Sequence, residues 1–121
     1  MNKKVLVVED NELSMVLVTD ILRHHGYEVI QATNGSQGLE LARGHSPDLI
    51  LMDIQMPVMD GFEAISQLKA DEKTAGIKIV AVTSFAMAEE KKRVLETGAD
   101  EYIAKPIDTR KLPVIVQQLI G

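Results

Sequence analysis

A doubly wound α/β fold built on a five-stranded parallel sheet is what this sequence predicts, and three observations carry it. Short apolar runs alternate with segments of helical period five times along the chain. The runs are apolar at consecutive positions, as strands covered by helices on both faces require. Four of the runs end in side chains able to do chemistry: Glu9 and Asp10, then Asp53, then Thr83, then Lys105. Parallel strands all point one way, so these ends share the edge at which open α/β sheets bind ligands.

The first strand is Lys4-Val5-Leu6-Val7-Val8. A helix over residues 12–25 follows, with Leu17 and Ile21, and Val18 and Leu22, at i,i+4 on one stripe, and Gly26 stops it. Residues 27–32 are the second strand. Residues 36–43 form a short helix with Leu39 and Ala42 at i,i+3, weakened by ~1 kcal/mol by its interior Gly38. Pro47 marks a boundary before the third strand, 48–52, which Asp53 ends. Residues 54–61 carry Pro57 and Gly61 and read as a loop. A helix over 62–70 has Ile65 and Leu68 at i,i+3. The fourth strand, 77–82, is closed by Thr83. A helix over 87–97 stops at Gly98, and residues 101–104 are the fifth strand. Asp108 or Thr109 is placed to cap a last helix running to about Ile120. Pro113 falls just past its first turn if Asp108 is the cap, so that helix starts late or kinks.

Composition narrows the function. One domain spanning 1–121 is the natural count. At 45% hydrophobic residues there is enough for one core, and with 3% aromatics and no Trp, Val, Ile, Leu and Ala must fill it. The absence of cysteine excludes disulfides, thiolate zinc sites and cysteine nucleophiles, and is compatible with the cytoplasm. The N-terminal lysines and apolar run superficially resemble a signal peptide, but the run is too short and ends in acid. No stretch approaches the ~20 apolar residues of a membrane span. A net charge of −5 with no basic tract disfavours direct nucleic-acid binding.

Glu9 and Asp10, taken alone, are a solvated turn, and Thr83, Lys105 and Asp53 each have an equally ordinary reading. Together they form a pocket. Carboxylates converging on one edge repel one another unless a cation is present. Hard oxygen donors suit Mg²⁺, and no histidine stands near them to favour zinc. A carboxylate such as Asp53 beside a divalent cation can act as a nucleophile toward phosphorus. The Thr83 hydroxyl and the Lys105 ammonium are suited to phosphoryl oxygens. Pro106 makes a cis bond available after Lys105. Tyr102 fits a half-buried strand position with its phenol reaching water. Phe85 and Met87 read as core or partner-facing packing.

In this order, Val7-Val8-Glu9-Asp10-Asn11, Asp48 to Pro57, Asp60-Gly61, Ala81-Val82-Thr83, Gly98-Ala99-Asp100 and Tyr102 with Lys105-Pro106 resemble the receiver domain of two-component response regulators, the CheY-like superfamily. The resemblance covers essentially the whole chain. It implies a flavodoxin-like strand order, 2-1-3-4-5. Asp53 would be the phosphoacceptor. Asp10, Asp53 and the Gln55 carbonyl would bind Mg²⁺ directly, and Glu9 through water. Thr83 and Lys105 would bind phosphoryl oxygens, and Tyr102 would be the switch aromatic that turns inward with Thr83. Asp60 and Gly61 would shape their loop and cap the third helix. The family associates positions such as Gln55 and Phe85 with the lifetime of the acyl phosphate. Glu9 to Leu13 and Thr83 to Met87 resemble the DivK-like cell-cycle group.

The resemblance implies a stand-alone phosphorelay receiver. It would take phosphate from a sensor histidine kinase or a histidine phosphotransfer protein and bind a downstream protein through a switched face. Partners commonly use the face of the fourth helix, fifth strand and fifth helix, whose shape Pro113 affects. The chain ends about a helix after Lys105-Pro106, which leaves no room for an output domain. The alternative is a receiver belonging to a larger regulator or hybrid kinase. A Mg²⁺-dependent phosphatase would carry a second acid two positions after its nucleophile, and here that residue is Gln55, so turnover of an external substrate is not expected. A pure interaction module would leave the pocket residues without a purpose.

Overall fold

A computed structural model describes residues 2–56, 59–84 and 88–121. Five strands, β1 (Lys4–Val8), β2 (Glu28–Ala32), β3 (Leu49–Asp53), β4 (Lys78–Thr83) and β5 (Glu101–Ala104), form one parallel sheet in the order β2-β1-β3-β4-β5. The intervening helices are α1 (Glu12–His24), α2 (Gly35–His45), α3 (Gly61–Ala70), α4 (Ala88–Thr97) and α5 (Lys111–Ile120). This is the expected flavodoxin-like strand order. Among the described residues no helix is long and apolar enough to cross a membrane.

The consecutive apolar residues of the strands serve two cores, because successive side chains leave opposite faces. Leu6, Val8, Ile50, Met52, Ile79 and Ala81 pack under Leu39 and Ala42 of α2, Ile65 and Leu68 of α3 and Val94 of α4. Val5, Val7, Leu49, Leu51, Val80 and Ile103 pack under Met15, Val18 and Leu22 of α1 and Leu112 and Val116 of α5. Each such fully buried aliphatic side chain contributes roughly 1.5–3 kcal/mol.

Gly38, read as a weakness of α2, is required by packing. A Cβ there would lie 2.8 Å from Val8 Cγ2, so only glycine lets α2 settle against β1. In α1 the buried stripe is Met15, Val18, Thr19 and Leu22, whereas Leu17 is exposed. Val18 and Leu22 are one turn apart, and the 3.6-residue period turns Leu17 about 100° away from the first and about 140° from the second.

Asp108, one of the two expected caps, stands at the entrance of the last helix. Its carboxylate accepts the Arg110 N–H at 2.9 Å, and its carbonyl accepts the Leu112 N–H at 3.1 Å, an i→i−4 bond. Regular helix runs from Lys111, and Arg110, already helical in backbone, makes no side-chain cap of its own. Pro113 has no N–H to offer the Thr109 carbonyl, so the bond that would continue the ladder is missing and the regular helix starts late.

Candidate functional site

Register brings the site together. Val8 pairs with Met52, so Glu9 and Asp53 leave adjacent strands side by side. Asp53 pairs with Val82 and Thr83 with Ala104, which puts Thr83 and Lys105 on the same edge. β1 and β3 are the strands from which the chain winds in opposite directions, and the crevice at such a switch point is where this class of sheet binds ligands.

Local sequence holds the edge in place. Asn11 caps α1 by accepting the Ser14 N–H at 2.9 Å, and its own N–H donates to Glu9 Oε1 at 3.0 Å. Asp60 caps α3 by accepting the Glu63 N–H at 2.9 Å. Gly61 then lets that helix end press on the phosphoacceptor candidate's own backbone. A Cβ at Gly61 would lie 2.6 Å from the Asp53 carbonyl oxygen and 2.6 Å from Ile54 Cα.

Glu9, Asp10 and Asp53 each offer a carboxylate oxygen, and these oxygens lie within 4.8 Å of one another. Glu9 and Asp53 are buried and Asp10 is exposed, so the cluster opens to solvent on the Asp10 side. Lys105 Nζ stands 3.0 Å from Asp53 Oδ2 and 3.3 Å from Glu9 Oε2. Burial, together with the Glu9 charge, pushes the Asp53 carboxyl up to about 6 against the opposing pull of Lys105. Burial works to lower the Lys105 pKa, but its hydrogen bond and charge contacts with Asp53 and Glu9 outweigh that and raise it. An all-oxygen, acidic, solvent-facing donor set of this kind suits a hard divalent cation. The Lys105-Pro106 bond is cis, the isomer the sequence made available.

Thr83 is fully buried at the end of β4 and accepts a hydrogen bond from Gln55 Nε2 at 2.8 Å. Gln55 Oε1 in turn accepts the Ser84 N–H at 2.9 Å. Tyr102 pairs with Ala81 and so shares the sheet face of Thr83, half-buried against the α2–α4 core. The Lys91 ammonium of α4 lies over its ring at 4.8 Å from the centroid. The structure thus brings Glu9, Asp10, Asp53, Thr83 and Lys105 to one mouth, with Gln55 across it and Tyr102 a short step along the sheet. The roles of Ser84 and Lys91 escaped sequence reading. Ser84 acts through a backbone N–H that every residue but proline has, and Lys91 is one of two adjacent lysines on its helix. Phe85, Met87 and Pro57 lie outside the described residues.

Residues 5–117 match the family model described as response regulator receiver domain. A polar-differentiation response regulator DivK of Brucella ovis is 44% identical over 121 residues, covering 100% of this chain and 98% of the relative. The receiver domain of the sensor histidine kinase PA1611 of Pseudomonas aeruginosa, solved with a magnesium ion coordinated in its active site cleft, superposes with a TM-score of 0.92 at 33% identity, covering 100% of this chain and 99% of that one. The chemotaxis protein CheY4 of Vibrio cholerae gives 0.93 at 29% identity, covering 98% and 99%.

Proposed function

The chain belongs to the response regulator receiver domain family, and from that premise we propose that it is a stand-alone phosphorelay receiver with Asp53 as phosphoacceptor. The observation that carries this reading is the buried Asp53 carboxylate set between an acidic cluster and Lys105. On this reading an Asp53 carboxylate oxygen forms the new P–O bond as the P–N bond of a donor phosphohistidine breaks, and the electron pair stays on the imidazole nitrogen. Lys105 holds the carboxylate in place and then pairs with a phosphoryl oxygen, while the Thr83 hydroxyl donates to another. Hydrolysis returns the carboxylate and releases inorganic phosphate.

Asp10, Asp53 and the Gln55 carbonyl would hold Mg²⁺, with Glu9 reaching it through water. Bound there, the ion supplies positive charge that offsets the repulsion between carboxylate and phosphoryl group. Support comes from the oxygen-only donor set and from the magnesium of the Pseudomonas receiver. Gln55, rather than an acid, stands two positions after Asp53, and this favours a signalling switch over turnover of external substrates.

The donor in this reading is a sensor histidine kinase or a histidine phosphotransfer protein, meeting the receiver in the cytoplasm. An apolar strip beside the mouth supports a protein donor. Leu13, Val16 and Leu17 of α1 are exposed, and Leu17 also lines a groove of about 140 Å³ with Lys105, Pro106 and Ile107. A donor that delivers phosphate to Asp53 covers this strip because it adjoins the pocket. The downstream partner is a protein that reads the change at Thr83 and Tyr102.

Incubation with acetyl phosphate and Mg²⁺, followed by intact mass measurement, tests the reading. A single phosphoryl adduct on the wild type and none on Asp53→Asn is expected. An adduct that persists on Asp53→Asn would place the acceptor elsewhere.

A further inference from the structure

Gln55 touches both ends of the proposed switch. Its backbone N–H donates to Asp53 Oδ1 at 3.0 Å. Its side chain crosses from the loop after β3 to the end of β4, where Nε2 donates to Thr83 Oγ1 at 2.8 Å and Oε1 accepts the Ser84 N–H at 2.9 Å. The direction of the amide follows from chemistry. A backbone N–H can only donate, so the amide oxygen faces Ser84 and the NH₂ group faces the threonine. One half-buried side chain thereby ties together the two loops that flank the pocket.

We infer that the Gln55 amide is a latch that holds Thr83 and Ser84 in the resting arrangement and is displaced when Asp53 carries a phosphoryl group. The inference rests on the reading of Asp53 as phosphoacceptor. A phosphoryl group adds three acceptor oxygens and up to two negative charges at this mouth. The Gln55 oxygen is a neutral acceptor, and an anionic oxygen makes the stronger hydrogen bond to the same N–H. When Ser84 turns to the phosphoryl oxygen, Gln55 loses one of its two anchors. Its hold on the Thr83 rotamer weakens with it, and the Thr83 hydroxyl turns to donate to phosphate. The amide contacts exist in one state and not in the other, and only such a difference moves a two-state equilibrium. Gln55 is thus a positioning residue that raises the threshold for switching.

Beryllofluoride with Mg²⁺, a phosphoryl mimic, probes this directly. Gln55→Met keeps the side-chain length and removes both amide contacts. Amide NMR titrations should show the variant binding the mimic about 2- to 10-fold more tightly than wild type, the equivalent of one net hydrogen bond. A second measurement needs no variant. Ser84 is exposed, so slow hydrogen exchange of its amide in the resting wild type has its source in the Gln55 bond. Mimic binding hands that N–H to a stronger acceptor, so its protection should persist or rise, while the Gln55 side-chain NH₂ resonances, released from Thr83, should shift and exchange faster. If the wild type takes up no beryllofluoride, the phosphoacceptor reading fails and the latch fails with it. If the wild type binds but Gln55→Met binds equally or more weakly, or the Gln55 side-chain NH₂ resonances do not move, the latch is wrong and the phosphoacceptor reading stands.

Discussion

Asp53 is 1% exposed, and on the proposed reading it must be ionised to attack phosphorus, at a cost that the fold bears. Its carboxyl sits at about 6 because burial and the neighbouring Glu9 both oppose its charge. In the folded protein without Mg²⁺ it therefore keeps its proton to higher pH than in the unfolded chain. Between roughly pH 4 and pH 6 the folded state binds more protons, so Asp53's contribution to stability falls as pH rises through that window and is flat above it. Asp53→Asn removes the charge and keeps one acceptor oxygen, which serves the Gln55 N–H or Lys105 but not both. In chelator at pH 7.5 the variant should be more stable than wild type, on the order of 2 kcal/mol, and the gap should close near pH 4. Thermal melts across that range check it, and a variant less stable at pH 7.5 would show that the Lys105 pair outweighs burial. The acid, the hydroxyl and the ammonium of this site were legible as residue types at strand ends. The Ser84 contact was not, because its donor is backbone and leaves no mark on residue choice.

At the scale of elements, α3 is the piece most directly coupled to the pocket. Its N-terminus rests on the Asp53–Ile54 backbone through Gly61, with Asp60 as cap. Gly61→Ala puts a methyl group 2.6 Å from the Asp53 carbonyl, so β3 or α3 must shift. The variant should lose about 1–3 kcal/mol of stability in denaturant melts and label more slowly with acetyl phosphate. Gly44→Ala, in open space on α2, is the control that should cost nothing. α1 plays a different part, presenting Leu13, 83% exposed, and Leu17, 45% exposed, beside the mouth. Leu17→Asp should slow transfer from a protein phosphohistidine donor about tenfold or more and leave acetyl phosphate labelling unchanged. Equal rates from the protein donor would remove α1 from the docking face. Helical period revealed α1 as a helix but assigned Leu17 to the same stripe as Val18, since adjacent apolar residues do not say which of them faces the sheet. In α5 the Asp108 cap was legible, and Pro113 accounts for the late start of regular helix, because it removes the bond that would follow the one from Leu112 to Asp108.

For the molecule as a whole, one sheet edge gathers the candidate site, and two apolar cores pack the faces behind it. The strand ends were readable because buried parallel strands are apolar at every position, so the first polar residue after each run announces the edge. Strand order was not readable from period or composition, since any order of five parallel strands has the same pattern along the chain. It came from the resemblance. The order matters because it seats β1 and β3 side by side and so gathers the three carboxylates. In a chain of net charge −5, this crevice sets three acids against the single Lys105 ammonium, an excess of negative charge that a divalent cation would offset. Mg²⁺ should therefore stabilise the wild type, by about 2.7 kcal/mol at a hundred times its dissociation constant, and Asp53→Asn far less. The two proteins should then exchange rank. Asp53→Asn melts higher in chelator, the wild type melts higher in saturating Mg²⁺, and their melting curves cross at an intermediate concentration. Parallel responses to Mg²⁺ in both proteins would mean that the ion binds without Asp53, and the acidic cluster would no longer account for the metal.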